Sequence, residues 1–121
     1  MNIIANDEIT PQGVLIRAVE PIEGLDIIKK NREMEDIADN SKNIINLTNG
    51  PGKVAAALKI DKSYNSHDLC KSNEIFLIDD PLYEYLLGTS ARINIDYAGD
   101  YKDKPWRFYI KDNSYVSKIK K

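Results

Sequence analysis

The chain has 121 residues, enough for one domain and too few for two. Seventeen Lys and Arg stand against 19 Asp and Glu, a net charge of −2 that argues against a strongly basic nucleic-acid binder, although a net count cannot see a local patch. One cysteine, Cys70, and one histidine, His67, exclude a disulfide framework and a Cys/His zinc site, and fit a reducing compartment.

In chain order, Met1 to Ile4 reads as extended and apolar. The turn formers from Asn6 to Gly13 separate it from the run Val14 to Val19, which suggests a β-hairpin with a long loop. After Pro21 and Gly24, Leu25, Ile27, Ile28, Met34, Ile37 and Ala38 recur at helical spacing. Lys29, Lys30, Arg32, Glu33 and Glu35 form its charged, solvated face. Asn49-Gly50-Pro51-Gly52-Lys53 breaks the chain and opens a short apolar helix, Val54 to Leu58. A polar loop from Asp61 to Asn73 precedes an expected buried strand, Ile75 to Ile78. Alternating strands follow at Arg92 to Tyr97 and Trp106 to Ile110, with an edge strand over Tyr115 to Ile119. Lys118, Lys120 and Lys121 form a small basic tail. Helices and strands that segregate rather than alternate predict an α+β domain. No apolar run approaches the ~20 residues of a membrane span, and no signal peptide is visible, so the expectation is a cytoplasmic protein without membrane contact. The sequon Asn46-Leu47-Thr48 then has no glycosylation meaning.

Several residues have two readings. Gly50-Pro51-Gly52-Lys53 suits a phosphate at a helix start, or is an ordinary proline-started helix with a surface lysine; Leu47 and Val54 rule out a nucleotide P-loop. Arg17, among apolar neighbours, either faces solvent from a half-buried strand or lines a cleft. Trp106 and Phe108 suit base stacking, but alternating aromatics more often fill a core. Asp79 and Asp80, adjacent in an extended run, point to opposite faces and make no ready dyad.

Taken together, Val14 to Leu25, Asn49 to Lys53, Tyr97-Ala98-Gly99-Asp100 and Pro105 to Ile110 resemble, in order and spacing, the motif series of the alkyladenine (3-methyladenine) DNA glycosylase family. The resemblance implies a single α+β domain around a curved antiparallel sheet, similar to the formyltransferase C-terminal domain, with residues 1–121 as its C-terminal portion. It implies hydrolysis of the N-glycosidic bond of an alkylated purine flipped out of damaged double-stranded DNA, without metal or other cofactor, by a protein monomeric in its intact form and nucleoid-associated if prokaryotic. Carried over by motif, Arg17 resembles the arginine that helps hold the attacking water and a phosphate, and Ile93 the residue whose carbonyl holds the same water. Asn2 and Leu15 resemble substrate-pocket residues, and Arg32, Lys53 and Lys62 resemble DNA-backbone contacts. Asn94 stands where the family commonly shows glycine. The family's E-T-E-A-Y segment with its catalytic glutamate, a histidine and a tyrosine wedge would precede the Met1-Asn2 step, so these residues alone are expected to be inactive. The alternative is an inactive or split DNA-binding fragment of the same fold. A domain of unrelated function sharing the architecture is a third reading.

Overall fold

The computed structural model describes residues 1–79 and 84–117. Asp80, the basic tail and the end of the expected Tyr115–Ile119 strand lie outside the described residues. By contacts the chain divides into two units, Met1–Leu77 and Ile78–Lys121. Helices and antiparallel ladders occur together, so the fold class is α+β.

The first unit begins with the expected hairpin. Strand β1, Asn2–Ala5, pairs antiparallel with β2, Gln12–Leu15, in the register Asn2↔Leu15, Ile3↔Val14, Ile4↔Gly13 and Ala5↔Gln12. The connecting loop is organised by Asp7, whose Oδ1 accepts from the Ile9 amide at 3.0 Å, the Thr10 amide at 2.7 Å and the Thr10 hydroxyl at 2.9 Å. Such an Asx turn explains why a loop this long stays ordered. Pairing ends one step past β2, where the Ile16 amide donates to the Met1 carbonyl at 3.2 Å. The strand expected to reach Val19 therefore stops early. Val19 meets Thr48 instead: its amide donates to the Thr48 carbonyl at 3.3 Å, and the fully buried Thr48 hydroxyl donates to the Val19 carbonyl at 2.7 Å. The Val19 backbone is thus satisfied by a helix end rather than by a strand.

Helix α1 covers Leu25–Asn31, not the longer stretch to Ala38 that apolar spacing suggests. Glu33 takes the left-handed conformation, φ 54, and the amides of Glu33 and Met34 donate back to Lys30 and Lys29 carbonyls at 3.0 and 2.9 Å. This double bond pattern closes a helix end, here without the usual glycine. Met34 and Ile37 still pack on the core. Helix α2, Ser41–Thr48, has no counterpart among the expected elements; Asn40 caps it by accepting from the Asn43 amide at 3.0 Å. Helix α3, Pro51–Ala57, starts at the expected proline. Ile28 of α1, Leu47 of α2 and Ala57 of α3 form the core cluster, and Val54 of α3 is also fully buried. Asn31 Nδ2 ties the end of α3 to α1 by donating to the Ala57 carbonyl at 2.8 Å.

Two further expectations are corrected. Ile75 to Ile78 forms no strand: Phe76, Leu77 and Ile78 are 53%, 63% and 76% exposed, and no ladder among the described residues pairs with them. In the second unit, Arg92 to Tyr97 is not a strand but a turn leading into a 3₁₀ segment, Asp96–Tyr101. The ladder there joins β3, Leu87–Ser90, to β4, Arg107–Ile110, antiparallel; β4 was expected and β3 was not. Gly88 pairs with Tyr109, and a Cβ on it would meet that ring at 2.6 Å, so only glycine lets the tyrosine lie across the strand. Tyr115 is buried but its segment, through Ser117, is not a strand. Among the described residues no helix is long and apolar enough to cross a membrane.

Candidate functional site

The hairpin register brings two of the sequence-derived site residues together: Asn2 and Leu15 are direct partners. Alternation along extended strands puts Asn2, Ile4 and Leu15 on one face, with Ile3 and Val14 on the other. Arg17 lies two residues beyond Leu15 and is half-buried. It makes no ion pair or hydrogen bond with the described residues. A guanidinium part-way out of water retains strong donor capacity, so Arg17 is a cation without a partner among the described residues, two positions along the chain from the Asn2–Leu15 pair.

A cavity of about 70 Å³ opens against the same strand, lined by Asn2, Ile3, Tyr64, His67 and Leu69 among others. The Nε2 of His67 is buried there with no hydrogen-bond partner among the described residues, and its ring meets Tyr64 edge-on at 5.3 Å between centroids. His67 drew attention in the sequence only as a lone histidine without metal partners; its place beside Asn2 follows from the fold. The volume is well under the roughly 300–1,000 Å³ of a small-molecule pocket, so these walls alone do not enclose a nucleobase.

The three cations matched to DNA-backbone contacts are placed differently. Lys53, on α3, turns its Nζ back onto α2, donating to Asn49 Oδ1 at 2.8 Å and to Asn46 Oδ1. Both partners are neutral amides, so the lysine is oriented without its charge being cancelled. Arg32 follows the last turn of α1 and is half-buried, its Nε without a partner among the described residues. Lys62 is exposed on a 3₁₀ turn, Lys62–Tyr64, capped by Asp61. The charged face assigned to α1 needs a correction: Lys29 is only 7% exposed and forms an ion pair with Asp39, whereas Lys30, Glu33 and Glu35 are exposed as expected.

Ile93 and Asn94 belong to the second unit, beside a cavity of about 210 Å³ that Arg92 and Lys102 also line. The Ile93 carbonyl accepts no hydrogen bond from the described residues, which leaves its lone pairs open. Asn94 has φ 58, in the left-handed region. Glycine is at ease there and asparagine is among the best-tolerated side-chain residues, so the departure from the family glycine keeps the backbone conformation. Arg92 is clamped: Nη2 donates to the Tyr101 carbonyl at 3.2 Å, and the guanidinium lies 5.3 Å from the centre of the Trp106 ring, itself 5.6 Å from Tyr101. Neither Trp106 nor Phe108 is core, being 50% and 71% exposed. Sequence reading passed over Arg92, because only the fold shows that the indole and the carbonyl converge on it.

A family model described as methylpurine-DNA glycosylase matches residues 1–114. Proteins named "Putative 3-methyladenine DNA glycosylase" are similar to the chain: one from Clostridium novyi (strain NT) is 49% identical over 119 residues, covering 98% of the chain and 58% of the relative. One from Desulfitobacterium hafniense (strain Y51) is 44% identical, covering 96% and 57%, and one from Natranaerobius thermophilus is 46% identical, covering 96% and 57%. The chain thus spans somewhat under three-fifths of the length of these relatives. With a family model covering nearly all of its residues and relatives well above 40% identity, the chain belongs to the methylpurine-DNA glycosylase family.

Proposed function

We propose that residues 1–121 form the pocket-floor and DNA-backbone part of a base-excision glycosylase, a C-terminal portion of one formyltransferase-like domain, that hydrolyses the N-glycosidic bond of 3-methyladenine-type purines. The observation that carries this is the half-buried Arg17, without a partner among the described residues and two positions beyond the Asn2–Leu15 pair, in a chain matched to the family over residues 1–114. Alkylation places positive charge on a purine and makes it a better leaving group, so the protein need supply only a held water, charge stabilisation and an extruded base. Arg17 helps hold the attacking water, Asn2 and Leu15 form pocket wall, and the open Ile93 carbonyl is an acceptor for water within the second unit. Arg32, Lys53 and Lys62 bind the phosphates that anchor damaged duplex DNA. The carboxylate that takes the proton from the water belongs to the part of the family's length outside the matched region. No metal or cofactor enters the reaction. In its family-length form the protein works as a monomer, in the cytoplasm and, if prokaryotic, at the nucleoid.

The test uses a chimera joining residues 1–121 to the part of the Clostridium novyi relative outside the matched region. The chimera releases free 3-methyladenine from alkylated duplex DNA and the 121-residue chain alone does not. In the chimera, Arg17→Ala slows the single-turnover rate by about a hundredfold, the scale of a lost charge-stabilising donor, while weakening DNA binding far less. Base release by the chain alone would contradict the division of labour, and equal losses in rate and affinity would make Arg17 a phosphate anchor only. A second reading, an inactive DNA-holding module, is favoured by the small, partly walled cavity at Asn2; it gains if the chimera binds alkylated DNA without releasing base.

A further inference from the structure

We infer that Arg92 is a positioning residue, holding the Ile93 carbonyl in the orientation in which it serves as a water acceptor. The inference deepens the excision reading and rests on it for what that acceptor does, while every contact it uses lies within the second unit. The last rung of the β3–β4 ladder pairs Ser90 with Arg107, after which the chain departs at Ala91 and returns at Trp106. Along that excursion the backbones of Arg92, Ile93 and Asn94 make no hydrogen bond among the described residues. The next one along the chain is the Ala98 amide donating to the Ile95 carbonyl at 2.8 Å. The segment is tied down instead by the Arg92 side chain, which grips the returning chain at two points, the Tyr101 carbonyl and the Trp106 indole. Asp96 and Asp103 line the same cavity as Arg92, yet among the described residues it pairs with neither. The guanidinium is therefore committed to a carbonyl and a ring rather than to a carboxylate.

The orientation needs such a tether because local preference runs against it. A peptide within a turn can point its carbonyl either way, and the two arrangements differ in the φ of the following residue, about −90° in one and about +80° in the other. Asn94, at φ 58, belongs to the second kind. Asparagine tolerates that conformation but, having a Cβ, favours negative φ. Reversal of the Ile93–Asn94 peptide thus relaxes the backbone and turns the Ile93 carbonyl away from its present direction. The Arg92 clamp, one residue before that peptide, opposes the reversal. Arginine suits the task, since its planar guanidinium stacks on an indole and donates in its own plane at the same time.

The experiment reads the Asn94 backbone and the reaction separately. In the isotope-labelled 121-residue chain, or in the family-length chimera if the β3–β4 ladder forms only there, a strong cross-peak between the amide and Hα protons of Asn94 marks its positive φ. Arg92→Ala is expected to weaken that cross-peak by about half or more, as the reversed peptide gains population, with the ladder intact. If that variant does not form the ladder, Trp106→Leu, which removes one point of the grip, is read in its place. In the chimera, Arg92→Ala slows single-turnover base release by about tenfold with duplex affinity unchanged. The slowing is smaller in an Asn94→Gly background, where positive φ carries no Cβ penalty and the clamp has less to oppose. An arginine that merely supports the fold slows both backgrounds alike. An unchanged cross-peak in a folded variant, or equal slowing in both backgrounds, overturns the inference. A parent chimera that releases no base sinks the excision reading instead, and the cross-peak then decides alone whether Arg92 sets the Ile93 peptide.

Discussion

Asn94 holds a left-handed backbone, φ 58, and this is the conformation that most side chains pay roughly 1–2 kcal/mol to adopt. Asn94→Val is therefore expected to lower stability by about that amount in denaturant unfolding, and Asn94→Gly to change it by less than about 1 kcal/mol. A loss on Asn94→Gly as large as that on Asn94→Val would show that the amide makes contacts that matter more than its φ. Arg92 is the second residue whose weight only the fold shows. Trp106 is the single tryptophan, so its emission reports directly on the guanidinium lying over it. Arg92→Ala should shift that emission to longer wavelength and cost about 1 kcal/mol; Arg92→Lys should restore part of the effect, since an ammonium cannot both stack and reach the Tyr101 carbonyl. Unchanged emission would mean that the clamp is not populated.

At the scale of elements, local chemistry decides where structure starts and stops. The loop of the β1–β2 hairpin depends on Asp7, whose carboxyl is held below its ordinary value first by the Thr10 amide and then by the Thr10 hydroxyl, with the Ile9 amide adding to them. A depressed carboxyl contributes order that is present above its ordinary range and lost as pH falls through the depressed value. The protection of the Thr10 amide, its exchange taken relative to the intrinsic rate at each pH, should thus be present at neutral pH and be lost on acidification below the ordinary carboxylate range. Asp7→Asn, which retains an acceptor oxygen, should keep loop order with less pH dependence. If Thr10 protection in the parent chain shows no such loss, the Asx turn does not order the loop. The hairpin and α3 were legible because turn formers and a proline punctuate them. Helix α2 was not, since its signal is only Asn40 followed by Ile44, Leu47 and Thr48 on one face of a polar stretch. The length of α1 was misread because apolar spacing continues past Asn31, while Glu33 leaves the helix.

For the molecule as a whole, a net charge of −2 means that any affinity for DNA must come from a few placed cations rather than from a general field. Each phosphate neutralised by a lysine contributes roughly 0.9 to the slope of log affinity against log salt. In the family-length chimera, Lys53→Ala combined with Lys62→Ala should therefore flatten that slope by about 1.8, with equal loss on undamaged and alkylated duplex. An unchanged slope would remove both residues from the DNA interface.

The sequence by itself determined the family, the α+β class and the residue types available for chemistry. Motifs in fixed order survive as letters, and turn residues mark strand and helix boundaries locally. Only the tertiary structure decided that Asn2 faces Leu15, that Val19 leaves its strand to satisfy Thr48, that Ile75 to Ile78 has no ladder to join, and that Arg92 is seized by Trp106 and Tyr101. Each of those outcomes depends on a partner distant in the chain, and a hydrogen-bonding group or an indole face is chosen in three dimensions, where spacing along the sequence carries no information about what arrives opposite.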